Sequence, residues 1–294
     1  MLPPSHRTPL MTKRILVVLD TDDDTPVALD TAVEIARRYD GEITCVALVD
    51  TDAIQAETVG GGIGSMYYAD KLRAQLQDET RTKAQELLQR FTAKLDAAGV
   101  PHTDDHVAEG SRVKSLVEDM RTHDLLVAGR ESRFYYAEPE KRTHTLAKVL
   151  EKAAAATLVI GTTPPTVNRV MIAYDGETVA ARTLQKFAHL SPFGTDLAVE
   201  LVHIQEGGDD ARRASEHLLD GAAAFLRAYG YTDLTTTSLE DGSPSERLNA
   251  YAQSSGADLL VAGAYSTKGI RKWLFGTTAV KLLNESPVPL FLYQ

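Results

Sequence analysis

A single cysteine among 294 residues leaves this chain no intrachain disulfide, and tryptophan too occurs only once. Cys45 has no partner for an intrachain bridge and stands inside the apolar run from Ile43 to Val49, so it reads as a buried structural thiol. Long apolar runs are absent as well; none approaches the ~20 residues of a membrane span. The opening MLPPSHRTPLMTKR lacks the apolar stretch of a secretory signal, so the expected location is cytoplasmic. Residues 1–12 read as an N-terminal extension, and Met11 is a candidate start. Positive charge is in deficit, with 31 Lys and Arg against 41 Asp and Glu. The resulting net charge of −10 repels nucleic acid and anionic membrane, while leaving room for a small anion in a local pocket. No HExxH, GxSxG or Cys/His ligand cluster occurs, and the eight histidines are scattered. With neither a nucleophile and its base nor a metal set in view, no catalytic residues and no metal site are assigned, and a fixed enzymatic reaction is not expected.

What the chain does contain, it contains twice. Lys13-Arg-Ile-Leu-Val-Val-Leu-Asp20 is echoed by Asn168-Arg-Val-Met-Ile-Ala-Tyr-Asp175, and Asp124-Leu-Leu-Val-Ala-Gly129 by Asp258-Leu-Leu-Val-Ala-Gly263. Two landmarks in the same order argue for duplication, with an insertion in the first copy. The extra length falls between Asp50 and Ser65 and includes Gly60-Gly-Gly-Ile-Gly64; without the Lys-Ser/Thr of a P-loop it reads as a flexible surface insertion. The Pro-containing segment Gly161 to Thr166 separates the copies, giving domains over residues 13–161 and 167–294.

In each copy, short β-branched runs alternate with longer segments of helical period, the pattern of a parallel sheet covered by helices. Strands are predicted near 14–19, 43–49, 103–107, 124–128 and 157–160, then near 169–174, 196–203, 234–239, 258–262 and 289–293. Helices fall near 26–39, 66–98, 112–122 and 143–153, then near 178–190, 209–229, 244–254 and 277–285. Ligands of open α/β sheets collect at the carboxyl ends of strands where the strand order reverses, so Asp175 and Gly263 should border one crevice. From Gly263 the chain runs through Ser266, Lys268, Gly269, Arg271, Lys272 and Gly276 to Thr277 and Thr278 at the start of an apolar-periodic helix. Glycines admit close backbone approach, a helix start offers free N–H groups to an anion, and either threonine could cap that helix. Read from residues alone, this is either a phosphate-binding loop or simply a capped helix.

The combination resembles the universal stress proteins, whose nucleotide-binding members carry G-x2-G-x9-G-[S/T] between the fourth strand and the last helix. Here Gly263, Gly276 and Thr277 match, and Ser266 stands in place of the second glycine. The resemblance runs from about Lys13 to Gln294 and implies an α/β fold of two tandem five-stranded, parallel-sheet, Rossmann-like domains. It further implies an adenine nucleotide, ATP or AMP with or without Mg, as ligand. Asp175, within Ala173-Tyr174-Asp175-Gly176, would lie on its adenosine side and Ile204 by the base; Gly263, Ser266, Gly276, Thr277 and Thr278 would lie along its phosphates. The plainer account of Asp175 is a turn residue leading into the next helix, and of His203 a core histidine.

The first copy departs from the pattern. Gly129-Arg-Glu-Ser132 mirrors Gly263-Ala-Tyr-Ser266, but Arg142-Thr143 replaces the downstream glycine, and Asp20, Asp22, Asp23 and Asp24 crowd the strand-one turn. Such charge disfavours a triphosphate; its bland reading is a solvated turn in which Asp24 or Thr25 caps the helix behind Pro26. A degenerate first site and a competent second one are therefore expected, in a stress-response or signalling protein. The class-distinct alternative is a nucleotide-free interaction scaffold with a protein partner. A weaker third reading is a hydrolase or transferase on the nucleotide, and slow ATP hydrolysis at Thr277 stays open. The apolar runs Leu158-Val-Ile160 and Leu290-Phe-Leu292 read as final edge strands that invite pairing into an intrachain pseudo-dimer, with a homodimer beyond it.

Overall fold

The computed structural model describes residues 12–21, 23–57, 65–130, 145–205, 207–240, 242–264 and 277–294. Two compact units are present, one spanning Arg14–Pro164 and one containing Pro165–Gln294.

The first unit holds β1 (Arg14–Leu19), α1 (Asp24–Tyr39), β2 (Glu42–Asp50), α2 (Thr51–Glu57), α3 (Ser65–Ala98), β3 (His106–Gly110), α4 (Arg112–Met120), β4 (Leu125–Gly129), α5 (Thr145–Leu150) and β5 (Ala156–Ile160). Its strands pair in parallel in the order β3-β2-β1-β4-β5. The order reverses at β1, so right-handed crossovers put α1 and α3 on one face and α4 and α5 on the other. The centre is apolar on both faces, as a doubly covered parallel sheet requires: Ile15, Leu16, Val17, Leu125, Leu126 and Val127 are fully buried. Each such side chain contributes about 1.5–3 kcal/mol of burial. Cys45 lies in this core, and burial pushes its thiol pKa far up with Asp105 adding to the shift, consistent with an inert thiol.

The second unit repeats the plan with β6 (Arg169–Ala173), α6 (Thr178–Leu190), β7 (Ala198–Gln205), α7 (Asp209–Ala228), β8 (Asp233–Glu240), α8 (Pro244–Ser255), β9 (Leu259–Gly263), α9 (Thr277–Glu285) and β10 (Leu290–Tyr293). Here the parallel order is β8-β7-β6-β9-β10. This unit concentrates its few aromatics: Phe187 lies 5.3 Å from Phe291 edge-on and 6.0 Å from Tyr231, whose hydroxyl reaches Ser191 at 3.2 Å.

The repeated Asp before the fourth strand has a structural role. In the first unit Asp124 Oδ2 accepts the Arg14 N–H at 3.0 Å; in the second, Asp258 Oδ2 accepts those of Asn168 and Arg169 at 2.9 and 2.8 Å. Each carboxylate ties the amino end of its unit's first strand to the neighbouring strand, satisfying N–H groups that lie beyond the ladder.

Three expectations shift. β3 begins at His106 rather than near 103, because Asp104 adopts a left-handed conformation at φ 57° and the Asp105 carboxylate takes the Cys45 N–H at 2.7 Å in place of a backbone acceptor. The stretch after Asp50, expected as a flexible insertion, opens with helix α2, and α3 is 34 residues long against 20 for α7; the glycines from Gly60 to Gly64 lie outside the described residues. Finally, α1 starts at Asp24 with Asp23 at its cap, so Asp24 and Thr25 belong to the first turn.

Candidate functional site

In the second unit, the carboxyl ends of β6, β7 and β9 meet where the strand order reverses. Tyr174 continues the ladder by one residue, its N–H donating to Val202 O at 2.8 Å. The chain then turns: Asp175 Oδ1 accepts the Glu177 N–H at 3.0 Å, and Gly176 takes φ 76°. Asp175 thus performs the turn role of its plainer reading, yet its carboxylate remains exposed at the crevice. Burial, with the Asp175 charge behind it, raises the half-buried Tyr174 phenol above its ordinary pKa. Gly176 is also tight on its far side, since a Cβ there would come within 2.7 Å of Leu218 on α7.

Ala173, Ile204 and Gly263 are each half-buried around this turn. Gly263 lets the first turn of α6 close onto β9, where an added Cβ would lie 2.9 Å from Val179 Cγ1. Thr277 begins α9 rather than preceding it, and Thr278 follows half-buried in the first turn. As the helix connecting the parallel strands β9 and β10, α9 starts at the carboxyl end of the sheet and directs its unpaired N–H groups there. Ser266 and Gly276, with Lys268, Arg271, Lys272 and Trp273, lie outside the described residues.

The same positions in the first unit are closed. Asp20, the counterpart of Asp175, is 1% exposed and accepts the Thr21 N–H at 2.7 Å; Leu48, the counterpart of Ile204, is 1% exposed. The space over Gly129, the counterpart of Gly263, is filled by the Asp24 carboxylate, which has no solvent exposure. Val179 is the fourth residue after Asp175 as Asp24 is the fourth after Asp20, so an apolar contact in one unit has become a buried acid in the other. Asp50 at the end of β2 pairs with Arg112 at 2.6 Å, both largely buried, where the second unit carries Pro244 after the shared Gly-Ser. Beside this pair α2 seats the fully buried Ile54 and packs on α3 and β3. Asp22, Ser132, Arg142 and Thr143 lie outside the described residues.

The remaining polar clusters sit elsewhere. His203 Nδ1 pairs with Ser215 at 2.8 Å, and Ser215 with Ser238 at 2.6 Å, the satisfied core arrangement. Glu200 accepts hydrogen bonds from Thr237 and Tyr251, both at 2.6 Å, near a cavity lined by Arg169, Ala198, Val199, Asp233 and Thr235 at the amino ends of the strands. That cavity is at the opposite end of the sheet from the crevice. Among the described residues no group of three His, Cys, Asp or Glu is placed to hold a metal ion, and no helix is long and apolar enough to cross a membrane.

The structure brings Ala173, Asp175, Ile204 and Gly263 to the carboxyl end of one sheet and puts Thr277 and Thr278 in the first turn of α9. Sequence reasoning missed the Asp24–Gly129 contact, the Asp50–Arg112 pair and the packing of α2 on α3 and β3. Counting equal offsets from Asp20 and Asp175 would have exposed the first, because it sets Asp24 against Val179. The pair required knowing that the ends of β2 and β3 adjoin.

Comparison with known proteins agrees with this architecture. The model of the universal stress protein family matches residues 11–161 and again 166–294. A universal stress protein of Synechocystis is 23% identical over 292 residues, covering 96% of this chain and all of that one. The solved structure of a universal stress protein from Archaeoglobus fulgidus covers 97% of both chains at 19% identity with a TM-score of 0.65. A protein of unknown function from Pseudomonas aeruginosa covers 96% of this chain and 92% of its own at 16% identity and a TM-score of 0.59. Matched in both halves by one family model, the chain belongs to the universal stress protein family as a tandem of two of its domains.

Proposed function

We propose that the second unit binds an adenine nucleotide, ATP or AMP, in the crevice bounded by Ala173, Asp175, Ile204 and Gly263, and that the first unit binds none. The reading rests chiefly on one contrast: Asp175 is exposed and Ile204 and Gly263 half-buried, whereas Asp20, Leu48 and Gly129 are buried. An exposed carboxylate suits the hydroxyl and amino groups of adenosine. Phosphates would extend toward the start of α9, where backbone N–H groups and the dipole favour negative charge. Thr277, Gly276 and Ser266 complete that side on the strength of the sequence pattern. The role is binding in the service of a stress response or signal, a reading supported by the lack of a nucleophile–base pair or metal set at the crevice among the described residues.

Isothermal calorimetry with ATP and AMP is the direct test, together with analysis of nucleotide released from denatured protein. One site per chain, lost on Gly276→Asp, is the expected result. A flat titration at millimolar nucleotide with nothing released would favour the nucleotide-free scaffold.

A further inference from the structure

The last residue of β7, Gln205, is only 8% exposed, and its Oε1 is buried without a hydrogen-bond partner. Leaving an amide oxygen dry and unpaired forfeits its hydration with no return, so such groups ask for an explanation. Position supplies one. The β6–β7 register ends at Ala173↔Val202 and the Tyr174 N–H to Val202 O, so Gln205 extends β7 past the point where β6 turns at Asp175. Alternation along β7 puts it on the His203 face, where Ser215 of α7 meets His203 and Leu218 of α7 closes on Gly176. Gln205 therefore lies on the α7 face at the carboxyl end of β7, next to Ile204 and beyond the last residue of β6. The matching residue of the closed first unit is Val49, buried and apolar with nothing to satisfy.

We infer that Gln205 reads the nucleobase, its Oε1 accepting a hydrogen bond from the exocyclic amino group of adenine. The inference rests on the nucleotide reading above and adds what that reading lacks, a side chain that distinguishes one purine from another. Asp175 marks where the nucleoside sits; Gln205 decides which base is accepted. A site built around a hydrogen bond to a ligand N–H discriminates against the analogue without it, because the protein group is then stranded.

The experiment is a thermodynamic cycle. ATP and purine riboside triphosphate, which lacks the 6-amino group, are titrated calorimetrically into the full chain and into Gln205→Val and Gln205→Met, with thermal melting to verify folding. The wild type is expected to prefer ATP on the order of tenfold, and both variants to bind the two ligands alike. The valine variant carries the residue that the first unit already tolerates at this place. An undiminished preference in the variants, or no preference in the wild type, would overturn the role of Gln205 while leaving nucleotide binding intact. Failure of the wild type to bind ATP at all would instead overturn the nucleotide reading, and the base contact with it.

Discussion

The two crevices start from the same strand order and the same Asp and Gly landmarks, and they end in opposite conditions. In the second unit a carboxylate stands exposed beside half-buried apolar residues; in the first, three carboxylates, Asp20, Asp24 and Asp50, have been drawn inside. A ligand site is kept open by what fails to pack there. With the Asp24 carboxylate over Gly129, Asp50 paired to Arg112 and α2 packed on α3 and β3, side chains of the first unit itself fill the space that stays open in the second.

The comparison breaks most decisively through binding. Gly276→Asp, which adds bulk and negative charge where phosphates are proposed to approach, is expected to abolish ATP binding, whereas Asp20→Ala leaves it unchanged; two equivalent calorimetric sites per chain would refute the asymmetry. Next in size is stability. Gly129→Ala must displace the buried Asp24 carboxylate and should cost about 3 kcal/mol, read from denaturant midpoints. Gly263→Ala only crowds Val179 at 2.9 Å, and should cost about 1 kcal/mol.

Asp175→Ala removes the proposed adenosine-side contact and should weaken ATP about tenfold, or ~1.4 kcal/mol. Trp273, the single tryptophan, falls between Gly269 and Gly276 in sequence, so its emission should change saturably in the wild type and at higher nucleotide concentration in the variant.

The smallest effect divides the units by pH. In the first, hydrogen bonds that the imidazole donates to Asp105 and then Asp96 raise the His102 pKa, and the Asp119 carboxylate at 3.3 Å raises that of His106. Their contribution is whole below the ordinary histidine value and is lost as pH rises through the raised values. In the second, burial and then Lys186 lower the His189 pKa, so its contribution is present above the ordinary value and is lost as pH falls through the lowered one. Hydrogen exchange around β3 should therefore quicken with mild alkali, and around the end of α6 with mild acid. His102→Gln should flatten the first trend, and a response of equal sign in both units would contradict it.

Much of this fold was legible because the signals were local and repeated. The basic residue, apolar run and Asp marked β1 and β6, and the shared Asp-Leu-Leu-Val-Ala-Gly marked β4 and β9 within a residue. The start of β3 was not, since Asp104 and Asp105 act through a left-handed turn and a side-chain acceptor that leave no trace in hydrophobic period. For the site, Asp175 and Gly263 could be placed by their strands. Gln205 could not, because a glutamine ending a strand looks like any solvated polar residue until its burial is known.

The acid over Gly129 also constrains how this chain can change. Restoring an open first crevice by substitution would require removing Asp24 and dismantling the Asp50–Arg112 pair together, since removing one partner of a buried pair strands the other. Conversely, alanine becomes acceptable at 129 only after the residue at 24 has shrunk. The two positions should thus be strongly epistatic, and a duplicated domain that has crossed this point is held there by its own packing, free to drift elsewhere but not to return by single steps.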